Sequence, residues 1–244
     1  MTRKLSLLFA ALLVLSLGTG AQASEGCTEA TLEGSYGEVH GGTIFDRGLI
    51  TAVGRWTFDG KGNYSATVTN VFEDTGVSRT AFTGTYAVRA DCTASLDLPD
   101  GPLADLAIVG GGRELRYIAT RPNRVATGVF KRQALEECTK ATIAGRYGLT
   151  LNGRIRDRGL AGAVGFLTFD GEGGASYAAT AVYEDTGLDH VTLEGTYKVN
   201  PNCTGSLLLG ASATLEFAIV GEGEEIFQVA TRSDRVVTWT MTKE

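Results

Sequence analysis

The chain has 244 residues, of which 43% are hydrophobic and 20% are charged, and its formal net charge is −6. A hydrophobic fraction of this size is typical of a globular protein and excludes an intrinsically disordered chain, and the 33 glycines follow no three-residue period that would indicate collagen. With 22 basic against 28 acidic residues and no basic run, the composition also argues against a nucleic-acid partner, because binding to a phosphate backbone needs clustered Lys and Arg.

The N-terminus predicts a secretory signal peptide. Arg3 and Lys4 are followed by an apolar run over residues 5–17, and small residues ending in Ala23 complete the usual order. We expect cleavage after Ala23, because the apolar run is too short to span a bilayer comfortably and a polar stretch follows it. The sequence therefore predicts residues 1–23 as a signal peptide. The mature protein is expected to be secreted or periplasmic, without insertion into a membrane after processing.

The rest of the chain consists of two copies of one module. Shifting the sequence by 111 positions (138 − 27 = 111) places Cys27 on Cys138 and Cys92 on Cys203, and the register continues without a gap to the C-terminus. A repeat of this length can bury its own core, so we expect two domains, at residues 24–133 and 134–244. Matching segments include Asp46-Arg47-Gly48-Leu49 with Asp157-Arg158-Gly159-Leu160, Thr57-Phe58-Asp59-Gly60 with Thr168-Phe169-Asp170-Gly171, and Glu73-Asp74-Thr75-Gly76 with Glu184-Asp185-Thr186-Gly187.

Each module is predicted to be all-β. Apolar and polar residues alternate in short runs rich in Thr, Val, Tyr and Phe, and no sustained 3.6-residue period follows the signal peptide. Turns at 59–63 and 73–76 contain Gly, Asp and Asn, which tolerate the positive φ of hairpins. Because eight strands in meander order can close and so remove their exposed edges, we expect two tandem eight-stranded antiparallel meander β-barrels. In the first module the strands are predicted at 31–39, 48–58, 63–73, 78–89, 93–98, 103–109, 114–121 and 124–131, with equivalents 111 residues later.

The four cysteines predict one disulfide in each barrel. In an up-and-down barrel, the start of the first strand, near Cys27, lies at the same end as the turn after the fourth strand, which carries Cys92. We therefore expect the bonds Cys27–Cys92 and Cys138–Cys203, which fit an oxidising compartment. A zinc site is the other use of four cysteines, but the chain has only 2 His and the cysteines are widely spaced, so we predict no metal and no cofactor.

The opposite end of each barrel is the candidate ligand-binding site. The strand count places three charged turns there, and each set contains as many acids as arginines. Such a set suits either salt bridges between the turns or a mouth that orients a polar or anionic ligand, and both interpretations stay open. The candidate mouth residues are Asp46, Arg47, Glu73, Asp74, Arg121 and Arg124 in the first barrel and Asp157, Arg158, Glu184, Asp185, Arg232 and Arg235 in the second.

Bulky side chains are predicted to face the barrel interior. They would form either a solid core or a small apolar cavity in which the hydroxyls of Tyr36, Tyr86, Tyr147 and Tyr197 bind a ligand. Gly128 and Trp239 occupy equivalent positions, so the two interiors cannot have the same shape. The predicted interior set is Tyr36, Trp56, Phe58, Phe72, Phe82, Tyr86 and Phe130, with Tyr147, Leu167, Phe169, Tyr183, Leu193, Tyr197 and Met241 in the second copy.

Catalytic signatures are mostly absent from the sequence. Neither His40 nor His190 has a histidine at the equivalent position, so each is predicted to be a solvated residue rather than a general base. The chain contains no nucleophile elbow, phosphate loop or zinc-binding helix motif. The loop 59–63 superficially resembles a calcium loop, but its counterpart 170–174 offers fewer oxygen ligands than such a site needs.

Two short segments resemble known barrel families. The glycine-rich run 106–116 resembles the turn before the last strands of dirigent and allene-oxide-cyclase barrels, which are eight-stranded. The second copy departs from this pattern at 220–224, so no catalytic residue carries over. The opening Cys-x-x-x-x-Leu-x-Gly-x-Tyr, from Cys27 to Tyr36, resembles the start of calycin-type barrels such as lipocalins and avidins. The overall pattern also resembles secreted bacterial β-barrel repeat proteins.

These observations predict a secreted, non-enzymatic binding or surface-interaction protein. The sharper form of this hypothesis is a lipocalin-like carrier of a small apolar ligand. One alternative is an isomerase or cyclase of the allene-oxide-cyclase type, which predicts an open interior with Tyr or Glu pointing in. The other alternative is one sixteen-stranded outer-membrane barrel.

Overall fold

The computed structural model of the protein describes residues 26–98, 101–211 and 213–244, so the predicted signal peptide lies outside the described residues. The all-β prediction is confirmed, since the described residues form sixteen antiparallel strands and two single-turn 3₁₀ helices. No helix in the described part of the chain is long and apolar enough to cross a membrane. The strands of the first half are β1 (Gly34–Ile44), β2 (Gly48–Phe58), β3 (Asn63–Phe72), β4 (Gly76–Val88), β5 (Thr93–Leu98), β6 (Gly101–Val109), β7 (Glu114–Ala119) and β8 (Arg124–Arg132).

Each half closes into its own barrel in meander order, as predicted. β1 is hydrogen-bonded to both β2 and β8, and β9 is hydrogen-bonded to both β10 and β16. The sixteen strands therefore make two barrels of eight and not the single barrel of sixteen that was the alternative. The strands of the second half are β9 (Gly145–Ile155), β10 (Gly159–Phe169), β11 (Gly174–Tyr183), β12 (Gly187–Val199), β13 (Thr204–Leu209), β14 (Ala213–Val220), β15 (Glu225–Ala230) and β16 (Arg235–Lys243).

The first strand differs from its predicted bounds of 31–39. The residues before it form a 3₁₀ helix, Glu29–Leu32, and an equivalent helix, Lys140–Ile143, precedes β9. At its other end β1 continues to Ile44, because Gly42 fits where a larger residue would not: a Cβ at this position would lie 2.2 Å from the carbonyl oxygen of Val125. The longer strand keeps the alternation of side chains running through His40.

Both predicted disulfides are present, one at the lower end of each barrel. Cys27 is bonded to Cys92, and Cys138 is bonded to Cys203, each across 65 residues of sequence. The turns that follow the fourth strand of each barrel place Cys92 and Cys203 with positive φ. Each bond therefore links the segment before the first strand of a barrel to the turn after the fourth strand of the same barrel.

The outer surfaces of the two barrels pack against each other. The first barrel contributes the buried residues Val39, Val53 and Val71 of β1–β3, with the partly buried Leu49, Val77 and Val129 around them. We call the part of this surface formed by Leu49, Val53, Val71 and Val77 the head face. The second barrel contributes a surface that we call the tail face, made of Ala218, Val220, Phe227, Val229 and Val236 on β14–β16.

Polar contacts surround this apolar interface. The Glu216 carboxylate of the second barrel accepts a hydrogen bond of 2.5 Å from the Thr69 hydroxyl and an ion pair from Arg79. The Lys131 ammonium lies 2.6 Å from the Glu225 carboxylate. Because these contacts join one barrel to the other on several sides, the two barrels form a continuous packed unit.

Candidate functional site

The lower half of the first barrel is a solid core. Tyr36, Phe58 and Phe130 are at most 1% exposed, and their rings contact one another edge to face. The Tyr36 hydroxyl donates a hydrogen bond of 2.6 Å to the Gly112 carbonyl. Burial raises the pKa of Tyr36 to about 12, against the opposing effect of Arg132, so this hydroxyl stays a neutral donor.

The four tyrosines proposed to hold a ligand all use their hydroxyls on backbone carbonyls. Tyr86 donates to the Glu29 carbonyl at 3.0 Å, and in the second barrel Tyr147 and Tyr197 donate to the carbonyls of Gly223 and Lys140. None of the four, including Tyr36, lines the interior cavity of its barrel. The structure therefore places these side chains in the lower cores.

The upper half of the first barrel encloses a cavity of about 240 Å³. The cavity opens between the turns that were predicted to form the mouth. Trp56 and Phe130 close it from below, and most of the surrounding wall is aliphatic. Its lining residues include Ile44, Ile50, Val68, Phe72, Phe82, Leu96, Leu98, Leu103 and Ala126.

A buried carboxylate lies at the base of this cavity. Glu38 is 1% exposed, and it accepts hydrogen bonds of 3.0 Å from the Trp56 indole and 3.0 Å from the Tyr117 hydroxyl. The Nδ1 atom of His40 pairs with the same carboxylate oxygen as Tyr117. Three side-chain donors from three different strands therefore converge on one acid inside the barrel.

The surroundings of Glu38 keep it ionised. Burial alone would raise the pKa of this carboxyl, but the attraction of His40 and the hydrogen bonds from His40, Trp56 and Tyr117 outweigh burial and lower it. Burial and the neighbouring charge of Glu38 raise the pKa of Tyr117 well above its ordinary value. The base of the cavity thus holds a carboxylate beside a neutral phenol and an imidazole.

His40 was predicted to be solvated, and this prediction is wrong. Its side chain is 13% exposed, it lines the cavity, and its ring packs edge to face against Tyr117 with 5.8 Å between the centroids. The reason is the length of β1, which continues past residue 40 and so turns His40 to the same face as Glu38. His190 is exposed, and its Nδ1 lies 3.2 Å from the Thr180 hydroxyl.

The three charged turns of the first barrel lie together at the upper end. Arg47 pairs with Asp74 at 2.8 Å and covers the ring of Phe72 at 4.2 Å. The Glu73 carboxylate accepts a hydrogen bond of 2.8 Å from the Leu49 amide, and so joins two of the turns. Of the six candidate mouth residues, the arginines Arg47, Arg121 and Arg124 line the cavity, and the acids Asp46, Glu73 and Asp74 do not.

Arg124 is the arginine with an unused donor at the mouth. Its Nε atom is buried and has no hydrogen-bond partner among the described residues. Burial, and to a smaller extent the charges of Arg121 and Arg47, lowers its pKa. A buried donor without a partner is costly, and an acceptor group of a ligand would relieve that cost.

The second barrel lacks the features of this site. Its interior cavity measures about 90 Å³, because Trp239 fills the space above Tyr177, with 5.4 Å between the stacked rings. The equivalent of Trp239 is Gly128, where a Cβ would lie 2.5 Å from the Tyr117 ring and 2.6 Å from His40. Leu149 and Leu151 stand at the positions of Glu38 and His40, so the second interior carries no acid and no imidazole there.

The arginines at the mouth of the second barrel are also more fully paired with acids. Arg158 pairs with Asp185 at 3.3 Å, and both Arg232 and Arg235 pair with Asp234 at 3.0 Å and 3.2 Å. The first barrel has Asn123 at the position of Asp234. The Glu184 carboxylate, like Glu73, accepts a hydrogen bond from a turn amide, that of Leu160. These pairs support the salt-bridge interpretation for the second barrel.

No group of three or more His, Cys, Asp or Glu side chains in the described segments is arranged to hold a metal ion. A ligand in the cavity would contact an apolar wall, an acid with its donors below and arginines above.

Comparison with known proteins yields weak similarity of chain fold. No family model and no curated protein matches the chain. A protein of unknown function of the DUF3598 family from Nostoc punctiforme shares 8% identity, with 89% of this chain and 99% of that chain covered and a TM-score of 0.28. Transferrin binding protein B from Neisseria meningitidis shares 9% identity over 87% of this chain and 77% of its own, with a TM-score of 0.27.

Proposed function

We propose that the protein is an extracytoplasmic binding protein whose first barrel holds one small molecule with an apolar body and an anionic head group. Two disulfides support an oxidising compartment, where such bonds persist. The observation that carries the proposal is the difference between the two interiors of one duplicated module. The first barrel keeps a cavity of about 240 Å³, and the second fills the same space with Trp239.

The size of the cavity limits the ligand. At about 30 Å³ per water, this volume equals about eight waters, which is below the range of about 300 to 1,000 Å³ for sites that hold drug-sized molecules. The aliphatic wall favours a short hydrocarbon body. The mouth arginines favour an anion, because Arg124 offers a buried donor without a partner and stands among like charges.

The proposal predicts that octanoate binds to the first barrel and that Arg124→Gln weakens this binding about tenfold or more, since one charge-assisted hydrogen bond is lost. The chain has 2 Trp, and Trp56 lines the cavity, so a Trp239→Phe background leaves Trp56 as the reporter for a fluorescence titration. Octanol, which has no anionic group, should bind more weakly, and its affinity should be the same with and without Arg124→Gln.

Arg235→Gln is the matched control, because Arg235 is the equivalent arginine of the second barrel. This variant should bind octanoate as the unmodified protein does. If neither octanoate nor octanol changes the Trp56 signal, or if Arg235→Gln weakens octanoate binding as much as Arg124→Gln does, the proposed site is wrong.

A second candidate function, proton-transfer catalysis, is favoured by the acid and imidazole in the cavity. The ionised Glu38 carboxylate fixes one ring nitrogen of His40, as a carboxylate does for a general base in many enzymes. Tyr117, held neutral, gives its one hydroxyl proton to Glu38 and so helps to hold the acid in place. This is the arrangement expected for an isomerase or cyclase with polar groups in an open barrel.

The catalytic candidate predicts that the protein exchanges protons next to a ketone. His40 would remove a proton from the carbon beside the carbonyl of 2-octanone, and the same carbon would then take deuterium from D₂O. Mass spectrometry of the ketone should show deuterium uptake above the buffer rate, and His40→Gln should remove the excess. Uptake at the buffer rate would leave binding as the function of the cavity.

A further inference from the structure

An apolar band lies on the outside of the second barrel. Val182 and Leu188 are cross-strand neighbours on β11 and β12, and Val182 also faces Gly162 of β10, which is flanked by Leu160 and Val164. A contiguous exposed patch of this kind marks an interaction surface more often than isolated exposed residues do. The exposed fractions are 58% for Leu160, 61% for Val164, 52% for Val182 and 66% for Leu188.

The same positions of the first barrel form the head face. A shift of 111 residues places Leu160, Val164, Val182 and Leu188 on Leu49, Val53, Val71 and Val77, and three of these four pairs are identical. In the first barrel this surface is covered by the tail face of the second barrel. The second barrel therefore carries a second head face, which is open.

The first barrel likewise carries an open equivalent of the tail face. The positions of Ala218, Val220, Val229 and Val236 hold Ala107, Val109, Ile118 and Val125, so all four remain apolar. Val109 is 45% exposed, Ile118 is 51% exposed and Val125 is 57% exposed, whereas their counterparts in the second barrel are almost fully buried. The fifth position of the tail face differs, because Arg116 stands where the second barrel has Phe227.

We infer that a second copy of this chain docks on the open head face of the second barrel, through the open tail face of its own first barrel. The contact would resemble the one that already joins the two barrels within a molecule, with Thr150 and Thr240 at the positions of Val39 and Val129. Because the two surfaces differ, the contact is heterologous, and its repetition builds a head-to-tail chain of molecules or a ring instead of a closed two-fold dimer.

The polar rim supports this occupant. Within one molecule the Glu216 carboxylate, beside the tail face, accepts a hydrogen bond from Thr69 and pairs with Arg79 of the first barrel. The equivalent residues are Asp105 beside the open tail face and Thr180 and His190 beside the open head face. In the proposed contact the acid would again face a hydroxyl and a basic side chain, and all three residues are exposed or partly exposed.

The contact between molecules is expected to be weaker than the contact within one. Arg116 replaces Phe227, and Thr242 and Glu114 replace the pair formed by Lys131 and Glu225. The connector between the barrels also holds the internal contact at a high effective concentration, which separate molecules lack. Self-association is therefore expected in the range of about 1 to 100 µM.

Sedimentation velocity of two complementary variants tests the proposal. One variant blocks the open head face (Val182→Lys with Leu188→Lys), and the other blocks the open tail face (Ile118→Lys with Val125→Lys). The unmodified protein should form species larger than a dimer as its concentration rises, and each variant alone should stay monomeric. An equimolar mixture of the two should form heterodimers and nothing larger, because each variant keeps one functional face.

Leu208→Lys is the control, since Leu208 is 39% exposed on β13 and belongs to neither face. It should associate as the unmodified protein does. A protein that stays monomeric at about 100 µM overturns the proposal. Association of the tail-face variant by itself also overturns it, because two open head faces would then pair with each other. Where a lysine variant does not fold, serine at the same positions gives the same comparison.

Discussion

Replacing Glu38 by leucine, the residue at the same position of the second barrel, is expected to lower the free energy of unfolding of the first barrel by about 3 to 5 kcal/mol. The variant leaves the Trp56 indole, the Tyr117 hydroxyl and His40 without their shared acceptor in the barrel interior. Unpaired buried donors keep the full cost of desolvation. Urea unfolding followed by Trp56 fluorescence, in the Trp239→Phe background, measures the loss.

A triple variant separates this explanation from simple loss of packing. Glu38→Leu combined with His40→Leu and Tyr117→Phe removes the acid together with two of its three donors, so most of the lost stability should return. The second barrel already uses Leu149 and Leu151 at two of these positions. A triple variant that is less stable than Glu38→Leu alone would contradict the network, and so would a single variant as stable as the unmodified protein.

The same network should make stability depend on acid pH. Because the pKa of Glu38 is lower in the folded protein than its unfolded value of about 4.3, its contribution is complete above that value and is lost as the pH falls through the folded pKa. The free energy of unfolding should therefore fall more between about pH 5 and pH 3 in the unmodified protein than in Glu38→Leu.

Removing either disulfide is expected to cost about 4 kcal/mol, the chain-entropy value for a closed loop of 65 residues. Cys27→Ser with Cys92→Ser tests the first barrel, and Cys138→Ser with Cys203→Ser tests the second. The second pair should lose more, because Cys138 and Cys203 are 3% and 2% exposed and belong to the core of their barrel, so packing is lost as well. Urea unfolding of each double variant gives the comparison.

The exposure of the cysteines also predicts the order in which the two disulfides are reduced. Cys27 and Cys92 are partly exposed, whereas Cys138 and Cys203 are buried, so dithiothreitol should reduce the first bond sooner. Alkylation after short exposure, followed by peptide mass spectrometry, identifies the bond that opens first. Equal rates would mean that both bonds open only when the whole chain unfolds.

The fold was predictable from the sequence because the strand pattern occurs twice, once in each copy of the module. Turns rich in Gly and Asp gave most strand bounds to within a few residues, and the paired cysteines fixed the lower end of each barrel. The error at β1 has a local cause. His40-Gly41-Gly42 has the composition of a turn, but Gly42 is required for the close approach of β8, which the sequence of β1 alone does not reveal.

The polar network of the cavity was not predicted because its residues are not shared by the two copies of the module. Shared mouth residues such as Arg47 and Glu73 form turn contacts in the structure, whereas Glu38 and His40 have leucine at their counterparts. The informative signal was a set of coordinated differences. Glu38, His40, Tyr117 and Gly128 all differ from their equivalents, and all lie on neighbouring inward-facing positions of β1, β7 and β8.

The head face also bears on how the chain is made and handled. The N-terminal barrel is synthesised first, and until β14–β16 exist its residues Val39, Val53 and Val71 have no cover. A nascent or truncated chain that ends after the first barrel would present these valines to water and to other proteins, a situation that favours aggregation. Expression of the first barrel alone for ligand studies therefore requires polar substitutions on this surface, or the second half of the chain as a permanent shield.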